Sequence, residues 1–386
     1  MRVMDFTLSD KQKNLQWAAG EFAKGEFLPD LATELDQAGR FPESVWKKAC
    51  QLGFIGIHYP REFGGAGLGI FETVLVTEAL SRVDAGFGNA LASVDAGSEV
   101  ILKFGTREQK EKILPRLTKG DLRLTVAACE AEAESAGSSD ALETQKDARG
   151  YVLHGTRRLV PYAPLADRFV VPCYEPGDGR ITLMVEKGQE GLNVHSIEKM
   201  GLRFTPSGDI DLGRLRVSPG NRVGQAGEGG LHLDHYHQER GLRNIAQGLG
   251  AAQGAYDRAV QYARQREQFG RRLSQFQIIR HKLAEMRAGL DVIRFVTYKA
   301  AADYDRERLT QAVLAIARME VRKILVRIVD EALQIFGGYG YMSDQAIERC
   351  YRDAWALAAE LGTEEEQKDV IADEILGPPN HLIPKK

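Results

Sequence analysis

Cysteine is scarce in this chain of 386 residues: Cys50, Cys129, Cys173 and Cys350, with no CxxC spacing among them. That scatter argues against a zinc site and a disulfide framework, and for a reducing, cytoplasmic setting. Long apolar runs are absent as well. No stretch reaches the roughly 18 residues that a membrane-spanning helix needs, and the opening MRVMDFTLSDKQK has no apolar core of a secretory signal. Neither sign of charge dominates. A formal net charge of −3 gives no reason to expect nucleic acid or an anionic membrane as partner. No internal repeat is visible either. What is present is a chain with 43% hydrophobic residues, long enough for two or three domains and a sizeable core.

Three textures follow one another. Residues 1–120 read as helical. Ser9 and Asp10 cap a helix through Trp17 and Phe22, and Pro42 opens another that runs to Leu52. Phe71 to Ser81, Gly88 to Phe104 and Thr106 to Leu117 show helical spacing, and Gly64 to Gly67 form a loop. Residues 121–224 change character, with LTVAAC, YVLHG, RFVVPCY, RITLMVE, LNVHSI and DIDLGRLRV as short β-rich runs between Gly, Pro and Asp. They predict a compact antiparallel β domain. From 225 to 386 the helical pattern returns, with Leu242, Ile245, Ala246 and Leu249 on one face and Met286, Leu290 and Ile293 on another. The expected class is α+β: a helical domain, a β domain and a C-terminal four-helix bundle.

Two segments carry ligand-binding chemistry. RQREQFG at 264–270 sets cations beside a tight Phe-Gly turn, where the planar fork of Arg266 suits a pyrophosphate. LQIFGGYGY at 333–341 carries Gly337, Gly338 and Gly340, which let a backbone approach a ligand closely and offer it N–H groups. Taken singly, a solvated helix face and a plain turn account for both. His232, His235 and His237 do not share one helix face and lack an evident fourth ligand, so no metal site is expected.

Together with FGGAGLG at 63–69, KFGTREQKEKILPRLTKGD at 103–121, EKMGLR at 198–203, RRLSQFQ at 271–277 and YRDA at 351–354, these segments stand in the order and spacing of one family. From Phe6 to about Leu376 the chain resembles the acyl-CoA dehydrogenases. The resemblance implies FAD held between the β domain and the C-terminal helices, a homotetramer, an acyl-CoA substrate and an electron-transfer flavoprotein as electron acceptor. By motif position, Arg266, Phe269 and Gln277 hold the pyrophosphate and adenine half of FAD. Gln334, Gly337 and Gly338 do so from across a dimer interface, and Thr363 and Glu365 of GTEEEQ contact the same cofactor.

Two departures stand out. The flavin-side pieces, roughly TEPxAGSD and WITN in the family, read EAESAGSSD with Ser138 and LVPY with Val160 and Pro161. Pro161 has no N–H to offer a flavin. The second departure concerns the base. The chemistry removes a proton acidified by the thioester carbonyl and a hydride to flavin N5, so a carboxylate must lie close in a dry pocket. Leu361 replaces the Glu that the family carries before Gly-Thr, with Glu360 one residue away. Glu239 in Gln-Glu-Arg resembles the family's second solution, although a gap-free count from Gly229 or Gly250 puts Arg240 at that position. Asp95, on the expected apolar face of the 88–104 helix, is the favoured base, with Glu239 as backup. That pattern resembles the cyclohexene-carboxyl-CoA dehydrogenase branch and implies a cyclic acyl group. The rival reading is a non-catalytic subunit that binds acyl-CoA without turning it over.

Overall fold

A computed structural model describes residues 7–128 and 142–378. Seven helices come first: α1 (Asp10–Glu26), α2 (Pro29–Ala38), α3 (Glu43–Gln51), α4 (Ile70–Val83), α5 (Ala85–Ala92), α6 (Ser98–Phe104) and α7 (Arg107–Thr118). Their starts follow local capping chemistry. Ser9 and Gln12 form a reciprocal capping box on α1, and Thr106 and Gln109 form one on α7. The backbone N–H groups of Ile70 and Phe71 donate to the Asp305 carboxylate at 2.8 and 3.0 Å, so a distant residue caps α4.

One expectation changes here. The helix read from Gly88 to Phe104 is two helices, broken at Ser93–Gly97. Gly97 has φ +92°, and a Cβ on it would meet Val126 Cγ2 at 2.7 Å. Asp95 therefore lies in a turn bridged to Leu124, not on a helix face.

The middle region folds into an eight-stranded sheet in the order β6-β7-β3-β2-β4-β5-β8, with β1 beside β4. The strands are β1 (Leu124–Val126), β2 (Glu143–Asp147), β3 (Gly150–Pro161), β4 (Arg168–Glu175), β5 (Gly179–Glu186), β6 (Leu192–Ile197), β7 (Ser207–Val217) and β8 (Arg222–Val223). Each of the six β-rich runs contains a strand. Most pairings are antiparallel, but β1 and β2 run parallel to β4. That central strand is buried on both faces except at Tyr174, which is why RFVVPCY reads as a continuous apolar run rather than an alternating one.

Five helices follow among the described residues: α8 (Gly229–Gln265), α9 (Gln277–Asp305), α10 (Gln311–Phe336), α11 (Ala346–Glu360) and α12 (Glu364–Leu376). A short hairpin, β9 (Glu267–Gln268) and β10 (Arg271–Arg272), joins the first two. The expected apolar faces are buried: Leu242, Ile245, Ala246 and Leu249 on α8, and Met286, Leu290 and Ile293 on α9. They share one core with Ile70 and Val74 of α4, so the two helical regions are packed as a unit. Glycines bring α8 hard against α4: a Cβ on Gly250 would lie 2.4 Å from Glu78 O, and one on Gly254 2.2 Å from Arg82 O. Among the described residues no helix is long and apolar enough to cross a membrane.

Candidate active site

The α5–α6 turn, the polar face of α8, the end of α11 and the rim of the sheet enclose a cleft. Its walls include Ala92, Ala96 and Glu99, then Arg240, Arg243 and Gln247, with Thr125, Pro161 and Thr205 from the sheet side and Glu360 from α11. Helical spacing puts Arg240, Arg243 and Gln247 on one face of α8, as the sequence suggests. Three hydrogen bonds set the walls. Asn89 Nδ2 donates to Gln247 Oε1 at 2.8 Å, Thr205 Oγ1 to Asn89 Oδ1 at 2.6 Å, and Thr125 Oγ1 to the Pro161 carbonyl at 2.6 Å.

Thr205 is held there by the YRDA segment. Asp353 Oδ1 accepts from Leu202 N at 2.6 Å, and Arg352 Nη1 donates to Met200 O at 2.9 Å. These contacts clamp the EKMGLR loop onto α11. Asp353 is buried, and desolvation followed by the nearby Asp84 carboxylate pushes its pKa up to about 7. Arg349 pairs with Asp84 at 2.7 Å beside it.

The three candidate carboxylates sit in different surroundings. Asp95 is buried. Its Oδ2 accepts from the Tyr59 hydroxyl at 2.6 Å, and its Oδ1 faces Arg243 Nη1 at 2.5 Å. Glu239 is also buried, with Oε1 at 3.0 Å from Arg243 Nη2 and 3.1 Å from His58 Nε2. Burial alone would raise its pKa, but His58 and Arg243 together outweigh burial and hold it at about 2. Neither Asp95 nor Glu239 is in the wall of this cleft. Glu360 is. It ends α11, with its carboxylate 3.9 Å from Arg240 Nη2 and its carbonyl accepting from Asn244 Nδ2 at 3.3 Å. Leu361 turns the other way and is buried in the helical core near Gly248. The one-residue offset between Glu360 and Leu361 thus separates a cleft-facing carboxylate from a core side chain.

A fourth carboxylate, Glu99, was missed by sequence reasoning. It lines the cleft at 5% exposure. Desolvation, then the Glu239 charge, drives its pKa well above the usual carboxylate range. In the sequence it looks like an ordinary first-turn acid of a helix; only the break at Gly97 aims it inward.

The cofactor candidates form a second surface. Arg266 ends α8, with its guanidinium 5.1 Å from the Tyr339 ring centroid, and Tyr262 stacks on Phe336 at 4.1 Å. RQREQFG and GGYGY therefore meet within one chain. Phe269 is 92% exposed at φ +52°, followed by Gly270 at φ +75° in the β9–β10 turn. Two positive φ angles fit a type I′ hairpin, but an aromatic residue in the first is strained. Gln277, Gln334, Gly337 and Gly338 are exposed beside them, and a Cβ on either glycine would meet nothing within 4 Å. This open backbone, with the exposed Phe269 ring edge-on to Phe276 at 6.5 Å, suits a flat, anionic dinucleotide. Thr363 is exposed and caps α12 through Glu366, with Glu365 exposed one residue before. Val160 is buried in the strand that presents Pro161. Ser138 and the EAESAGSSD segment lie outside the described residues.

The three histidines make packing and hydrogen-bond contacts. His232 Nδ1 lies 2.9 Å from Thr182 Oγ1, His235 packs edge-on to Phe104, and burial with Arg240 and Arg318 nearby lowers the His237 pKa to about 4. None of the three lines the cleft.

A helical, β and helical architecture with a carboxylate-bearing cleft at the sheet rim defines a flavin-dependent oxidoreductase acting on CH–CH bonds. Residues 9–121 match the acyl-CoA dehydrogenase N-terminal domain and residues 234–376 the C-terminal domain; the chain belongs to this FAD-binding family. It is 34% identical to the 3-(aryl)acrylate reductase of Clostridium sporogenes, covering 95% of this chain and 99% of that protein. It is 31% identical to the caffeyl-CoA reductase-Etf complex subunit CarC of Acetobacterium woodii, covering 95% and 99%. The solved butyryl-CoA dehydrogenase of Megasphaera elsdenii superposes with a TM-score of 0.89 at 29% identity, covering 97% of this chain and all of that one.

Proposed function

We propose that this protein interconverts a saturated acyl-CoA and its α,β-unsaturated counterpart, with Glu360 moving the α-proton. The observation that carries this reading is the place of Glu360: it shares the cleft with Pro161, the flavin-side residue, whereas Asp95 and Glu239 are tied to Arg243. Arg240, 3.9 Å from Glu360, positions the carboxylate. FAD, when bound, supplies the hydride acceptor. Val160 and Pro161 would support its ring side, and Arg266, Phe269, Gln277, Gln334, Gly337, Gly338, Thr363 and Glu365 its pyrophosphate and adenine side.

The cleft and the Arg266–Gly338 surface have no lining residue in common, which supports a cofactor site completed by a second subunit, in keeping with the homotetramer that the family resemblance implies. A cyclic acyl substrate rests on Asp95 as base, and the contacts of Asp95 to Tyr59 and Arg243 favour Glu360 and an open-chain acyl group instead. The Etf-complex relative, and a structural neighbour described as an electron transferring flavoprotein, support such a protein as redox partner.

The test is anaerobic bleaching of the purified holoenzyme by a panel of linear, aryl-substituted and cyclic acyl-CoAs. Bleaching by a member of the panel in wild type, lost in E360Q, is the expected result. A protein that binds FAD but is bleached by none sinks the reading and favours a binding subunit.

A further inference from the structure

Glu99 has a chemistry that the reaction itself does not use. Its side chain forms part of the cleft wall at 5% exposure. Among the described residues its hydrogen bonds come only from local backbone: the Gly97 N–H, shared between the two oxygens at 3.2 Å each, and its own N–H. Among the described residues no cation forms an ion pair with it; Arg243, on the same wall, is engaged by Asp95, Glu239 and the Ala92 carbonyl. A carboxyl group has room for several partners. Leaving it with only these local backbone donors in a dry site costs about 1–3 kcal/mol unless something else fills the gap.

We propose that Glu99 recognises a hydroxyl group on the acyl portion of the substrate, deepening the acyl-CoA reading on which this inference rests. A carboxylic acid presents one donor and one acceptor, the complement of an alcohol or phenol. An anionic substituent is disfavoured, because two carboxylates, Asp95 and Glu239, stand behind this wall with one guanidinium between them. An unsubstituted hydrocarbon would leave Glu99 as short of partners as it is without substrate. The raised pKa of Glu99 agrees with a neutral partner. Asn244, Gln247 and Ser93 add further polar wall, so a hydroxylated acyl group need not shed all its hydrogen-bonding on entry.

Matched pairs test this: butanoyl-CoA against 4-hydroxybutanoyl-CoA, and 3-phenylpropanoyl-CoA against 3-(4-hydroxyphenyl)propanoyl-CoA. Each is scored by kcat/KM for reduction of the holoenzyme. Wild type should favour the hydroxylated member of at least one pair about tenfold or more. E99L should bring that ratio to about 2 or lower, mainly through KM for the hydroxylated member, and E99Q should fall between the two. If E99L fails to fold, the wild-type ratio and E99Q decide. Turnover of the plain acyl-CoAs with ratios near one, or a ratio unchanged in E99L, overturns the role of Glu99 alone. No reduction by any member overturns the acyl-CoA reading, and this inference with it.

Discussion

Arg243 Nη1 stands 2.5 Å from Asp95 Oδ1 while its Nη2 stands 3.0 Å from Glu239 Oε1, so one guanidinium bridges two buried carboxylates. Removing one member of a buried pair leaves charge without compensation, typically at about 3–5 kcal/mol. D95A should therefore lower stability by roughly that amount, and D95N by less, since an amide can still accept from Arg243. Denaturant titration of both variants measures this. In the fraction that folds and keeps flavin, bleaching should stay within about tenfold of wild type. If D95N folds, holds flavin and is inert, Asp95 is the base after all.

Glu360 predicts the opposite pattern. It sits at a helix end, with a side chain 24% exposed and 3.9 Å from Arg240. E360Q keeps the shape, removes the base, and should slow flavin reduction by about 100-fold or more, with the melting temperature nearly unchanged. E239Q should lower the melting temperature, because it loosens the contacts to His58 and Arg243. Stopped-flow reduction and melting curves on the two variants separate the roles. Equal loss of reduction rate in both would refute the division.

Much of the fold was legible because periodicity and capping are local. Ser9–Gln12 and Thr106–Gln109 announce α1 and α7, and the buried face of α8 is plain in Leu242, Ile245 and Leu249. β2 was missed, since ETQKD is polar and pairs within a sheet whose other strands supply the core. The site was harder to read. Asp95 looks helical only if Gly97 is treated as an ordinary helix residue; its φ of +92° ends that pattern and turns Glu99 inward. Whether Glu360 or Leu361 faces the cleft depends on the rotation of α11, which packing against α8 determines and spacing alone does not. That Arg243 is the hub of the buried ionic network depends on contacts between residues about 150 positions apart, such as Arg243 and Asp95.

Asp353 gives a pH prediction with a definite sign. Its folded pKa of about 7 lies above the ordinary 3.8. The native state holds the proton at pH values where the unfolded chain has already released it. Stability from this group is thus fully present below about pH 4 and lost as pH rises through 7, a decline on the order of a few kcal/mol. D353N keeps an acceptor for Leu202 N and cannot ionise, so it should flatten the melting temperature between pH 4 and pH 8. A wild-type profile already flat across that range would show that Arg349 keeps Asp353 ionised.

Gly97 and Gly53 separate backbone strain from steric exclusion. Both have positive φ, +92° and +76°, but a Cβ on Gly53 meets nothing within 4 Å whereas one on Gly97 meets Val126 Cγ2 at 2.7 Å. G53A should cost about 1 kcal/mol, the strain of placing alanine in a left-handed position. G97A carries the same strain and must also push the α5–α6 turn off the sheet, so its loss should be larger by about 1–3 kcal/mol. The push has a second consequence. The Gly97 N–H donates to Glu99, and the same turn carries Asp95 against Arg243. G97A should thus also alter substrate selectivity, which G53A, at the end of α3, should leave intact. Denaturation curves and the hydroxyl-pair ratios on both variants decide it. Equal stability loss in the two would mean that the turn can shift freely, and that Glu99 is not held in place by Gly97.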